Sequence, residues 1–70
     1  MTVRVYEVSV TGRLPLDAVQ RFGEVDVRPE GEITVLRGAL DQAGLQGLLG
    51  WLELESLELI DVRLLEPVAG

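Results

Sequence analysis

The sequence predicts a small α+β domain running strand, helix, strand, strand, helix, strand, and three observations predict it. Val3 to Thr11 is rich in β-branched residues with polar groups interleaved, the composition of a strand. Leu45, Leu48, Leu49 and Leu52 recur at i, i+3, i+4 and i+7, which is one buried stripe on an α-helix. Between these stretches, Glu24–Arg28 and Ile33–Arg37 flank a turn signal at Pro29-Glu30-Gly31-Glu32, so the two segments should form a hairpin.

In the first strand Tyr6, Val8 and Val10 share one face and Val3, Val5, Glu7 and Ser9 the other, and the former set is the expected core side. Gly12 breaks the strand. Pro15 suits the first turn of a short helix over Leu16–Phe22, where its missing N–H costs nothing, and Gly23 can end that helix. Glu24-Val25-Asp26-Val27-Arg28 alternates strictly, which places Val25 and Val27 inward and charge outward. Gly38, Ala39 and Leu40 then lead to Asp41, whose short carboxylate is placed to accept from the free N–H groups of the second helix and to meet the positive end of its dipole. After that helix, Glu58–Glu66 gives a last strand with Ile60, Val62 and Leu64 on one side and Asp61 and Arg63 on the other.

Gly44, Gly47 and Gly50 need a reason, because each glycine inside a helix costs about 1 kcal/mol relative to alanine. At 100° per residue, Gly47, Trp51 and Leu54 fall on a second face roughly 150° from the leucine stripe. Two readings compete. Either the glycines permit close packing against the sheet while Trp51 lies flat on the protein's own surface or wraps the helix edge, or the small residues beside an aromatic and a leucine form a contact surface for a second chain.

Two strand–helix–strand units with right-handed crossovers interleave most simply as a four-stranded antiparallel sheet with both helices on one face, the ferredoxin-like βαββαβ arrangement. Residues 1–66 should form this single domain and 67–70 a tail. The sheet face without helices would then carry Val3, Val5, Leu36, Leu40, Leu59 and Leu65, an apolar surface that invites a second copy. Seventy residues is close to the size at which one core barely offsets chain entropy, so extra burial in a dimer would help.

Composition narrows the function. The hydrophobic fraction of 47% argues for folding. The chain has no cysteine and no histidine, which removes thiol chemistry, the commonest metal ligand and the commonest general base. A formal net charge of −6 opposes nucleic acid and anionic membranes. Residues 1–5 lack a basic segment followed by an apolar run, and no apolar stretch approaches a membrane span, so the expected location is cytoplasmic. The 12 acidic residues include two loose groups, Glu53/Glu55/Glu58 and Asp26/Glu30/Glu32, but neither has the spaced ligand loop of a calcium site, and no metal or cofactor is expected. Tyr6 and Ser9 have no base beside them, so no catalytic residue is assigned and the chain is not expected to be an enzyme. Glu7 should instead pair with Arg37 or Arg63 on a neighbouring strand.

Asp41-Gln42-Ala43 followed by Leu45 and Gly47-Leu48-Leu49, the lead-in Val35-Leu36-Arg37-Gly38, and the aliphatic strand Leu59-Ile60-Asp61-Val62-Arg63 resemble a group of small prokaryotic proteins with a D-Q-A-x-L-x-G-L-L element. The resemblance covers about the C-terminal half and implies a small α+β domain without implying an activity. Against that group's pattern, this chain departs at Trp51 and Leu54, where polar or basic residues are usual, and at Ser56, where glycine is usual. The arrangement is also similar to ACT-type regulatory domains, an analogy of fold alone. The expected role is a non-catalytic interaction module that forms a homodimer or higher oligomer, or takes another protein partner, through Gly47, Trp51 and Leu54 or through the open sheet face. The alternative is an ACT-like sensor in which Asp41 holds a small polar molecule.

Overall fold

A computed structural model describes residues 2–14 and 16–65. The expected roles of Pro15 and of the tail at 67–70 lie outside the described residues. The elements are β1 (Arg4–Thr11), α1 (Leu16–Val19) continued by a 3-10 turn (Gln20–Phe22), β2 (Glu24–Glu30), β3 (Ile33–Leu40), α2 (Gln42–Leu54) and β4 (Leu59–Leu64). The strands form one antiparallel sheet in the order β2-β3-β1-β4.

Side-chain alternation builds the core. Val8 stands opposite Leu36 on one side and Val62 on the other, and Leu36 stands opposite Val27, so one row of aliphatic side chains crosses all four strands. Val8, Val10, Val25, Leu36 and Leu40 from the sheet, Val19 from α1, and Leu48 and Leu52 from α2 make one buried cluster, each at most 3% exposed. Burying each such side chain contributes about 1.5–3 kcal/mol. Both helical segments therefore pack on the same sheet face. Thr34, the one buried polar residue among the described residues, donates its hydroxyl proton to the Gly12 carbonyl.

Three local expectations are corrected. The succession of elements, the four-stranded antiparallel sheet and the α+β class are as expected, but the first crossover is not a full helix, so the chain is not a standard ferredoxin-like βαββαβ. The segment 16–22 is too short to propagate an α-helix on its own, and its end tightens into i→i+3 bonding, with Gly23 N–H donating to the Gln20 carbonyl at 3.3 Å. The Gln20 side-chain amide donates to the Val25 carbonyl and ties this turn to β2. Second, Pro29 lies within β2, opposite Thr34, and the turn is only Gly31-Glu32, with Gly31 at φ +66°. β2 is an edge strand, where a proline removes no ladder bond, and a two-residue hairpin favours glycine at its first position. Third, β3 extends through Gly38 to Leu40, because Leu40 still has Arg4 of β1 opposite it.

Helix α2 has both ends closed. Asp41 is extended (φ −85°, ψ 178°), and its carboxylate accepts from Gly44 N–H at 2.6 Å. At the other end Ser56 takes φ +60°, its N–H donates to the Glu53 carbonyl at 3.0 Å, and Leu57 N–H reaches the Leu52 carbonyl at 3.1 Å. This is the Schellman pattern with serine where glycine is usual.

Candidate interaction surface

The surface that stands out is β4. It is an edge strand with only β1 beside it, and all six of its residues are exposed. Four of them are large and apolar: Leu59 (47% exposed), Ile60 (50%), Val62 (36%) and Leu64 (51%). Val62 and Leu64 stand opposite Val8 and Tyr6, on the face that the helices cover elsewhere. The helical layer stops short of them. A groove of about 380 Å³ remains between α2 and the start of β4, lined by Leu49, Leu52, Glu53, Leu57 and Leu59.

The cause lies on the opposite flank of α2. A side chain at Gly44 would meet the Phe22 carbonyl oxygen at 2.6 Å, and one at Gly47 would meet the edge of the Phe22 ring at 3.3 Å. The glycines thus let the 3-10 turn seat against α2. Trp51 extends the same contact, its ring centroid 6.0 Å from that of Phe22. The Arg21 guanidinium lies over both rings, at 4.8 Å from the Phe22 centroid and 5.7 Å from that of Trp51. Of the expected helix-face set, then, Gly47 and Trp51 are engaged within the chain, and Leu54, 82% exposed, stands clear.

The open sheet face differs from its expected apolar character. Leu36 and Leu40 point into the core, at 1% and 3% exposed, because they share the phase of Thr34 on the helix side. Leu59 also belongs to the helix side. A bulge where β4 shifts register against Ser9 and Val10 puts Leu59 opposite the buried Val10. Val5 and Leu65 remain on the open face, both half-buried, and Val3 is 59% exposed before β1 begins.

What the open face carries is a row of alternating charge. Asp26, Arg37, Glu7 and Arg63 stand in register across β2, β3, β1 and β4. Arg37 donates to Glu7 at 2.7 Å, Arg63 approaches the other Glu7 oxygen at 3.9 Å, and Arg63 also lies 3.9 Å from Asp61. The hydrogen bond from Arg37, aided by the positive charge of Arg37, Arg63 and Arg28, outweighs the cost of partial desolvation and holds the Glu7 carboxyl below its usual 4.5. Glu7 therefore pairs with both expected arginines.

Among the described residues no group of three acidic side chains converges on a site for a metal ion, and no helix is long and apolar enough to cross a membrane. A polar cleft of about 420 Å³ beside the start of α2 is lined by Thr2, Arg4, Tyr6 and Gln42. Asp41, expected as a ligand holder in the sensor reading, uses its carboxylate to cap α2.

A family model described as a domain of unknown function (DUF8691) matches residues 5–63, from the second residue of β1 to the penultimate residue of β4. The chain belongs to this family. No curated protein and no solved structure matches it. In this DUF8691 domain the matched span takes in the D-Q-A-x-L-x-G-L-L element and most of the exposed strand. The exposed edge position of β4 is not read from the sequence. The available signal was apolar residues in both phases of one short segment, Leu57, Leu59, Ile60, Val62, Leu64 and Leu65, more than one sheet face can bury.

Proposed function

We propose that this domain is a non-catalytic self-association module on a ferredoxin-like scaffold with an abbreviated first helix, and that β4 is its contact surface. The observation that carries the reading is an edge strand with four large apolar side chains 36–51% exposed, beside an apolar groove. Edge strands of soluble monomers are usually blunted by inward charges, proline or covering loops. β2, the other edge, has such protection: Pro29 within it and Glu24, Asp26, Arg28 and Glu30 along it. The helix-side phase of β4 has none. Less supports an ACT-like sensor, since Asp41 is occupied as a cap.

Sedimentation equilibrium of the full chain over a concentration series tests the proposal. The expected result is a mass above that of one chain, falling to the single-chain value in a Leu64→Glu variant that keeps its circular dichroism spectrum. A single-chain mass for the parent at the highest concentration overturns the reading.

A further inference from the structure

We infer that the partner of β4 is β4 of a second copy, paired antiparallel about a twofold axis at Val62, so that the two sheets become one. The inference rests on the self-association reading and adds to it the strand, the direction and the register.

Backbone geometry supplies the first constraint. Leu65 N–H donates to the Val5 carbonyl at 2.8 Å, so Leu65 turns its backbone groups toward β1. In an antiparallel strand the residues that face the neighbour alternate with those that face away. Val62 and Leu64, out of phase with Arg63 and Leu65, therefore turn their N–H and C=O toward the open edge. A twofold axis at Val62 makes Val62 and Val62 of the second copy exchange both backbone bonds, and it sets Leu64 opposite Ile60 of the second copy.

Charge selects this register from the others. Centred on Asp61, the pairing would set Asp61 against Asp61, and centred on Arg63 it would set Arg63 against Arg63. Centred on Ile60 or Leu64, both charges would lie opposite apolar or tail residues. Only the axis at Val62 sets Asp61 opposite Arg63 of the second copy, twice by symmetry. The alternating row then continues unbroken across the junction, from Asp26, Arg37, Glu7 and Arg63 of one copy to Asp61 of the next. On the helix side, where Val62 and Leu64 stand opposite Val8 and Tyr6, the same register sets the exposed Val62 and Leu64 of both copies in one apolar band.

Cysteine cross-linking tests the register cleanly because the chain has no cysteine of its own. Residues that face each other in a hydrogen-bonded antiparallel pair have Cα atoms about 5.5 Å apart, within disulfide range. On mild oxidation Val62→Cys should become a covalent dimer, whereas Leu64→Cys, four positions out of alignment with itself, should stay a single chain on a non-reducing gel. Asp61→Arg should raise the dimer dissociation constant by about tenfold, since it sets like charges together at both symmetric positions, and an equimolar mixture with Arg63→Asp should recover assembly, each variant supplying the charge the other lacks. Thermal melts of each variant establish that it is folded. If the parent is an oligomer but Val62→Cys does not cross-link and Asp61→Arg assembles as the parent does, the pairing is overturned while self-association stands. A single-chain parent overturns both.

Discussion

The three glycines of α2 should respond to alanine in three different ways, although their positions in the helix are alike to a propensity scale. Replacing glycine by alanine inside a helix gains about 0.8–1 kcal/mol from backbone entropy alone. At Gly50 nothing lies within 4 Å of the new methyl, so that gain should appear in full, raising Tm by about 4–8 °C for a chain of this size. At Gly47 the methyl arrives 3.3 Å from two carbons of the Phe22 ring, which must give by tenths of an ångström, and the net effect should be close to zero. At Gly44 the methyl meets the Phe22 carbonyl oxygen at 2.6 Å. That neighbour is backbone, and overpacking of this kind costs about 1–3 kcal/mol, so Gly44→Ala should lose up to about 2 kcal/mol net. Thermal and urea denaturation of the three single variants give the order Gly50→Ala, parent with Gly47→Ala, Gly44→Ala. If Gly44→Ala proved as stabilising as Gly50→Ala, the 3-10 turn would not be seated on α2, and the explanation for the uncovered β4 would fall with it.

Ser56→Gly should stabilise the chain by up to about 1 kcal/mol, read as a higher Tm, because the residue sits at φ +60° in a helix cap where a side chain is strained; a lower Tm would show that the serine side chain matters more than its backbone angle. Asp41→Ala should cost about 1 kcal/mol in urea denaturation through loss of the bond to Gly44 N–H, and Asp41→Asn should recover most of it. Glu7→Gln probes the charged row through pH. The folded-state pKa of Glu7 lies below 4.5, so its stabilising contribution is complete above the unfolded value and is lost as pH falls through the folded value. The melting temperatures of the parent and Glu7→Gln should therefore differ at neutral pH and converge in acid, and a gap that persists at the acid end would refute the ion-pair account.

How much of this was legible depended on whether the controlling interaction was local. Strand and helix positions followed from short-range alternation, and the Asp41 cap from one residue and its place before the leucine stripe. The pairing of Glu7 could be named because two arginines on predicted strands were available to it. The open-face set failed at Leu36, Leu40 and Leu59 for a different reason. Leu36 and Leu40 take their face from the register that sets Leu36 opposite Val8 and Val27, and the bulge opposite Ser9 and Val10 shifts β4 by a residue, neither of which is written in the local pattern. Since the side-chain period in a strand is two, a one-residue slip moves a leucine from one face to the other.

The glycine-rich helix and the exposed strand are one feature seen from two sides. Helices are about 10–12 Å across and strands about 4.8 Å apart, so two full helices suffice for a four-stranded sheet. Here one of the two is a single turn followed by a 3-10 turn, and α2 has 13 residues to cover what remains. Gly44 and Gly47 draw α2 against Phe22, closing the gap over the β2 side of the sheet, while the flank bearing Leu49 and Glu53 lines an open groove beside Leu57 and Leu59. A bulkier residue at Gly44 would push α2 off Phe22, in the direction of β4. The exposure of β4, the surface proposed for association, is thus set by residues that do not touch it, and on that proposal Gly44→Ala should alter assembly as well as stability, whereas Gly50→Ala should alter stability alone.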